Sequence, residues 1–199
     1  MTPFFRCESI ASISLLRLCS KDGTNRLTGE CVLALTRAIQ GLDPRPLIIT
    51  GNAKFFSAGA DLQEIAVLTG PDAYEFSWMG QRLMNAVANF PAPVYAAILG
   101  YCMGGGLDLA LACHYRIAHP HAVFGHRGAA LGLITGWGGT QRLPRVVGKA
   151  KALEMFVSAE KLHAAQALRI GLVDMVAEDP IAAVLGGIHR GDIEAQRKT

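Results

Sequence analysis

The chain has 199 residues, of which 51% are hydrophobic and 18% are charged, and its formal net charge is +3. This length suits one domain with a sizeable core, and the composition is typical of a packed soluble protein. The basic residues are dispersed and do not alternate with aromatic side chains, which argues against nucleic-acid binding. No apolar run approaches the roughly 18 residues that span a bilayer, so no membrane association is expected.

The cysteines and the N-terminus indicate the compartment. There are five cysteines and no Cys-x-x-Cys pair, and most of them stand in apolar surroundings. Such cysteines are typical of a reducing environment. The first residues lack the charged start and apolar stretch of a signal peptide. The sequence therefore predicts a cytoplasmic location.

In chain order, short apolar runs alternate with helical patterns. Strands are predicted over residues 10–18, 46–50, 93–99, 115–118, 122–124 and 172–176. Helices are predicted over 31–39, from an N-cap at Asp72 to residue 88, over 107–113, and from Gly138 onward with breaks at Gly148 and Gly171. This alternation predicts an α/β fold whose strands are buried on both faces.

Two glycine-rich turns stand out, Phe-Ser-Ala-Gly-Ala-Asp-Leu at 56–62 and Gly-Tyr-Cys-Met-Gly-Gly-Gly-Leu-Asp-Leu at 100–109. Each follows a predicted strand and opens a helix, where main-chain N–H groups point outward without helical partners. Neither turn alone is specific, because a glycine triplet before a helix is often only a tight connection. The spacing is neither that of a dinucleotide fingerprint nor that of a P-loop.

Taken together, with Ala60 and Gly105 45 positions apart, the two turns resemble those of the crotonase superfamily, the enoyl-CoA hydratase/isomerase group. The resemblance continues through Phe124-Gly125, the run Leu-Gly-Leu-Ile-Thr-Gly-Trp-Gly-Gly-Thr-Gln-Arg-Leu-Pro at 131–144, and residues 164–173. It covers roughly residues 10–178.

The resemblance implies a crotonase-like (ClpP-like) superhelix of β-β-α units that binds an acyl-CoA thioester. In that family an oxyanion hole is formed by the N–H groups at the positions of Ala60 and Gly105. The substrate-binding residues that it implies are Ala58, Ala60, Asp61, Leu62, Gln63, Gly105 and Trp137. Trp137 has two open readings, as a stacking surface for a flat acyl group and as a core residue.

The acid/base positions depart from the family pattern. Asp108 stands where hydratases have the first of two glutamates, and Gly128 replaces the second. Asp108 is either the surviving general acid/base or a first-turn carboxylate that complements the helix dipole. His126, two residues before Gly128, either presents its imidazole to the same cavity or is a polar loop residue. Ala60, Gly105, Asp108 and His126 are thus the predicted catalytic set.

Family members continue with further helices that cover the acyl site, and this sequence does not supply them. The C-terminal region is therefore expected to be short. We therefore predict a crotonase-like domain over residues 1–178 and a short tail over 179–199. A homo-oligomer, a trimer or hexamer, is the family expectation. No metal site and no cofactor are predicted, apart from the coenzyme A that is part of the substrate.

The resulting functional hypothesis is an enoyl-CoA hydratase/isomerase-type enzyme that stabilises a thioester enolate. The absence of the second glutamate favours isomerisation or decarboxylation, which use a single acid/base residue, over hydration. The alternative is a catalytically weak acyl-CoA-binding protein, and a nucleotide-phosphate binder is a third possibility.

Overall fold

The structure, a computed structural model, describes residues 3–187. In that range the strands are β1 Phe5–Ile10, β2 Ile13–Leu18, β3 Arg26–Leu27, β4 Leu47–Thr50, β5 Phe55–Ser57, β6 Gly59–Ala60, β7 Val94–Ile98, β8 Tyr101–Met103, β9 Tyr115–Ala118, β10 Val123–Gly125, β11 Leu162–His163 and β12 Met175–Val176. The helices are α1 Gly29–Gln40, α2 Leu62–Ala66, α3 Gly70–Ala88, α4 Gly105–Ala112, α5 Gly139–Val147, α6 Lys149–Ser158, α7 Ala164–Arg169 and α8 Pro180–Leu185. A short 3-10 turn covers Ala129–Leu131.

The strands form two main sheets and one small pair. The larger sheet has the order β1-β2-β4-β7-β9-β12, and the smaller has the order β11-β10-β8-β5. The remaining two strands, β3 and β6, pair with each other in parallel. Antiparallel pairing is confined to β1 with β2 and to β10 with β11 among the described strands.

A β-β-α unit repeats along the chain. In each unit the first strand joins the larger sheet and the second joins the smaller one, as in the pairs β4 with β5, β7 with β8 and β9 with β10. A helix then follows, and β7-β8-α4 is the clearest example. The predicted α/β architecture of β-β-α units is therefore confirmed.

The inner strands β2, β4, β7 and β9 of the larger sheet are largely buried on both faces, as their apolar sequences predict, while the edge strand β1 is mostly exposed. Leu16 and Ile49 face the main core, while their neighbours Leu15 and Ile48 belong to a second cluster on the opposite face. Burying a leucine side chain fully contributes about 1.5–3 kcal/mol. Helix α8 takes part in the second cluster through Val184.

Three boundaries differ from the sequence prediction. The predicted strand 10–18 begins too early, because Ile10 ends β1, Ala11 with a φ of 51° turns the chain, and β2 begins only at Ile13. The predicted N-cap Asp72 is the third residue of α3, and the cap is Thr69, which exchanges hydrogen bonds with Asp72 in a capping box. Helix α8 lies within the predicted tail, and residues 188–199 of that tail lie outside the described residues. The division at residue 178 stays a prediction.

Helix α4 carries the second glycine turn into the core. It is apolar almost all round, and every residue from Gly106 to Ala112 is buried. A helix of this kind is stable only inside a protein. Its first residue, Gly105, and its one carboxylate, Asp108, are thus held by a buried, fully packed element.

Candidate active site

The two glycine turns meet at their main-chain nitrogens. A Cβ built on Gly105 would lie 3.2 Å from Ala60 N, and one built on Gly59 would lie 3.0 Å from Gly105 N. Gly105 is the first residue of α4, so no earlier turn of the helix accepts its N–H. The structure therefore brings together the two residues predicted to form an oxyanion hole.

Backbone conformation explains the glycines in these turns. Gly59 has a φ of +95° and Gly104 a φ of +50°, a region that side chains with a Cβ rarely adopt. A Cβ on Gly59 would also lie 2.6 Å from the carbonyl oxygen of Met103. Close approach of the two turns thus requires the absence of a side chain here.

A cavity of about 620 Å³ opens beside these nitrogens. Its walls include seven of the predicted site residues, namely Ala58, Ala60, Leu62, Gly105, Asp108, His126 and Trp137. Much of the remaining wall is apolar, from Ile65, Leu68, Phe76, Leu131, Leu133 and Ile134. The volume falls within the range of pockets that enclose a small-molecule ligand.

Two predicted binding residues, Asp61 and Gln63, are not among the residues that line this cavity. Asp61 is the N-cap of α2, where its carboxylate accepts from Gln63 N at 2.8 Å. It also lies 3.4 Å from Arg26, which pairs with Asp22 at 2.5 Å. Asp61 thus shapes the start of α2, and a role for its backbone in substrate binding stays a prediction.

Asp108 and His126 meet at the base of the cavity. The side chain of Asp108 is 1% exposed and that of His126 is 4% exposed, and Asp108 Oδ1 lies 3.2 Å from His126 Nε2. The other carboxylate oxygen, Oδ2, accepts from the hydroxyl of Thr135. Within residues 3–187, neither Asp108 Oδ1 nor His126 Nε2 has a hydrogen-bond partner. The four predicted catalytic residues therefore line one cavity.

The neighbouring glycines decide what fits around this pair. A Cβ on Gly139 would lie 2.1 Å from Asp108 Oδ1 and 3.1 Å from His126 Nε2, so only glycine leaves room for the pair. A Cβ on Gly128 would lie 2.6 Å from the carbonyl oxygen of Leu133. The position of the missing glutamate is therefore closed to any side chain in this loop conformation.

Trp137 is both a core residue and a wall of the cavity. It is 3% exposed, and its Nε1–H donates to the carbonyl of Phe76 at 3.1 Å. Its ring lies directly against two glycines, since a Cβ on Gly80 or on Gly105 would fall 2.0 Å and 2.6 Å from its carbon atoms. The structure thus places Trp137 in the core and at the cavity wall, and stacking on an acyl group stays a prediction.

Several cavity residues have no counterpart among the residues that the sequence pattern predicts for the site. Tyr101 lines the cavity together with Phe55, and their ring centroids are 5.5 Å apart. Lys161 Nζ lies 5.6 Å from the centroid of the Tyr101 ring. Arg127, beside His126 in the chain, also lines the cavity. The available signal was position, because Tyr101 begins the strand that ends at the glycine triplet.

The charged surroundings of Asp108 include Arg142 of α5. Burial lowers the pKa of the Arg142 guanidinium, and the nearby Asp108 carboxylate partly offsets this. Arg142 donates to Asn85 Oδ1 at 2.8 Å.

No group of three or more His, Cys, Asp or Glu side chains within 3–187 is arranged to hold a metal ion. Over the same range, none of the helices is both long and apolar enough to cross a membrane.

Comparison with known proteins agrees with this geometry. The sequence model described as enoyl-CoA hydratase/isomerase matches residues 8–185. The chain belongs to the enoyl-CoA hydratase/isomerase family. Among curated relatives of this family, a probable enoyl-CoA hydratase of Bacillus subtilis is 45% identical over 157 residues, which are 78% of this chain and 61% of the relative. A crotonyl-CoA hydratase of Syntrophomonas wolfei is 36% identical over 176 residues, 86% of this chain and 68% of the relative.

Solved structures show the same fold. Pseudomonas aeruginosa DspI superposes with a TM-score of 0.88 and 34% identity, covering 99% of this chain and 84% of that one. An enoyl-CoA hydratase from Thermoplasma volcanium gives a TM-score of 0.87 and 32% identity, covering 100% of this chain and 79% of that one. The chain spans about three fifths of the length of the Bacillus subtilis relative.

Proposed function

We propose that this protein acts on an acyl-CoA thioester and holds the thioester oxygen between the N–H groups of Ala60 and Gly105. The observation that carries this proposal is the close approach of these two nitrogens at the wall of the cavity. A thioester enolate places negative charge on that oxygen, and preorganised N–H donors stabilise it. One such donor typically contributes roughly 3–4 kcal/mol in the transition state.

The acid/base step is assigned to the Asp108–His126 pair. The pair lies at the wall of the cavity that the two amides also line, and both side chains are almost fully buried. Proton transfer by a positioned group of this kind contributes about 10²–10⁴ in rate. The apolar remainder of the cavity suits a hydrocarbon acyl chain.

Reactions that need one acid/base are favoured over hydration. Hydration in this family uses two glutamates, and the space for a side chain at Gly128 is closed. Double-bond isomerisation needs a base that removes a proton from one carbon and returns it to another. Decarboxylation needs the oxyanion hole and one proton donor. The alternative is a catalytically weak acyl-CoA-binding protein, which would hold the thioester with the same two N–H groups but would not turn it over.

A panel of acyl-CoA thioesters, incubated with the protein and followed by mass spectrometry, tests the proposal. We expect retained ligand with every thioester of suitable length and product with enoyl or carboxylated acyl groups. Loss of the ultraviolet absorbance of crotonyl-CoA measures hydration in parallel. Binding without any product would favour the non-catalytic rival, and the absence of binding at millimolar concentration would remove the assignment.

Three further expectations belong to the same proposal. Coenzyme A enters as part of the substrate, and no separate cofactor is needed for these reactions. A homo-oligomer, a trimer or hexamer, is expected from the family, and sedimentation analysis checks it. A cytoplasmic location is expected from the cysteine pattern.

A further inference from the structure

We propose that His126 is the group that exchanges a proton with the substrate, that Asp108 acts only through it, and that Thr135 is the positioning residue for Asp108. This inference rests on the proposed function and assigns a separate role to each member of the acid/base pair. It differs from the sequence-based reading in which Asp108 is itself the surviving general acid/base.

The first argument concerns the two oxygens of Asp108. Oδ2 accepts from the Thr135 hydroxyl, and Oδ1 faces His126 Nε2 at 3.2 Å. The side chain is 1% exposed, so a carboxylate here depends on these two neighbours for compensation. Each oxygen of Asp108 thus faces a neighbouring side chain, and little of the carboxylate is exposed to a substrate in the cavity.

The second argument concerns the tautomer of His126. A buried polar atom without a partner typically costs about 1–3 kcal/mol, and both Asp108 Oδ1 and His126 Nε2 are in that position. The two atoms are 3.2 Å apart without hydrogen-bond alignment, and a small rotation of the ring with a proton on Nε2 would let this nitrogen donate to Oδ1 and satisfy both atoms. In neutral imidazole the proton resides on one nitrogen only, so Nδ1 becomes the basic atom.

The third argument is that the surroundings fix this arrangement. Asp108 Oδ1 already fills the space that Gly139 leaves. The carboxylate therefore cannot move further toward α5. The ring of His126 packs on Phe156 with centroids 5.2 Å apart. The charged or titratable groups near the pair are Arg142 of α5, Cys102 of β8 and Arg127 of the adjoining loop.

The proton transfer balances without a co-reactant. His126 Nδ1 takes the proton from the carbon next to the thioester carbonyl; the electron pair of that C–H bond forms a carbon–carbon double bond, and the π pair of the carbonyl moves onto the thioester oxygen. The enolate is held by the N–H groups of Ala60 and Gly105. The imidazolium that forms is stabilised by the Asp108 carboxylate and returns its proton to the same carbon or to another along the conjugated chain.

Exchange of the α-hydrogens of butyryl-CoA in D₂O, followed by mass spectrometry, measures this step without requiring a net reaction. His126→Gln keeps an amide donor toward Asp108 but has no basic nitrogen, and it should slow exchange by about 10²–10⁴. Thr135→Val, which removes only the hydroxyl, should lower kcat for exchange roughly 10- to 100-fold and leave KM within about twofold. Thr135→Ser, which restores the hydroxyl, should recover most of the rate.

Matched controls are His121→Gln, at an exposed histidine, and Thr140→Val, at a threonine that does not line the cavity. Exchange that survives in His126→Gln but is lost in Asp108→Asn would overturn the inference and leave the proposed function standing. Failure of the wild-type protein to bind any CoA thioester would instead defeat the proposed function.

A readout independent of activity is the ¹⁵N spectrum of the His126 ring. We expect the Nε2–H tautomer in the wild-type protein and a change in its nitrogen shifts in Thr135→Val. An Nδ1–H tautomer in the wild-type protein would overturn the inference whatever the exchange rates show.

Discussion

Replacement of Gly105 by alanine tests how the oxyanion hole is built. The new Cβ would lie 2.6 Å and 2.7 Å from two atoms of the Trp137 ring, far inside the ordinary contact distance of about 3.5–4.0 Å. The ring cannot retreat, because it is buried against Gly80 and hydrogen-bonded to the Phe76 carbonyl. Overpacking of this kind destabilises by about 1–3 kcal/mol. The shift of the Gly105 N–H should also lower kcat by about 10²–10³.

Urea unfolding measures the first effect, and α-hydrogen exchange of butyryl-CoA measures the second. Gly70→Ala is the matched stability control, because a Cβ on Gly70 meets nothing within 4 Å. In the double variant Gly105→Ala with Trp137→Leu, the ring that causes the clash is gone. The destabilisation of the double variant should then be smaller than the sum of the two single-variant destabilisations by about 1 kcal/mol or more. Equal stability of Gly105→Ala and Gly70→Ala, with exchange within threefold of the wild-type rate, would refute the reasoning.

Three further predictions address other parts of the molecule. Gly128→Glu should lower the free energy of unfolding and should not raise crotonyl-CoA hydration, because a side chain there meets a carbonyl oxygen at 2.6 Å; faster hydration in an equally stable variant would contradict this. Arg116→Met should destabilise by about 3–5 kcal/mol in urea, since it removes the guanidinium that pairs with the buried Asp174 carboxylate at 2.8 Å. Arg116→Met combined with Asp174→Leu should recover part of that loss, and a loss below about 1 kcal/mol in the single variant would argue against an ionised buried pair. Burial raises the pKa of Cys113 from 9.0 to about 12, so its thiol should resist iodoacetamide in the native state while the exposed Cys7 reacts. The contribution of Cys113 to stability should be complete below pH 9 and should fall as the pH rises toward 12, because the unfolded chain then releases a proton that the native state retains; equal native-state labelling of both cysteines would contradict the burial.

The alternation of strands and helices and the two glycine turns were predictable from the sequence, because they depend on local patterns, namely apolar runs of strand length and glycines that open helices. The assignment of Ala60 and Gly105 as oxyanion residues came from the resemblance to the family and stays a prediction. The missed hairpin at Ala11 shows the limit of this reasoning. Residues 10–18 read as one apolar run, and the turn rests on a left-handed alanine that has no local signal.

The acid/base arrangement was only partly predictable. Asp108 and His126 were identified individually, but their 3.2 Å approach depends on strands and helices that are distant in sequence. The hydroxyl of Thr135, 27 positions from Asp108, gave no sequence signal for its contact with the carboxylate. The need for glycine at position 139 likewise follows only from the packing of α5 against α4.

Amide NMR with two matched ligands tests the oxyanion assignment most directly. In ¹⁵N-labelled protein, the amide protons of Ala60 and Gly105 are followed during titration with butyryl-CoA and with S-butyl-CoA, a thioether that lacks the carbonyl oxygen. We predict that both amide protons move downfield with the thioester and that neither does so with the thioether. Equal shifts with the two ligands, or a downfield shift at neither amide with the thioester bound, would contradict the assignment.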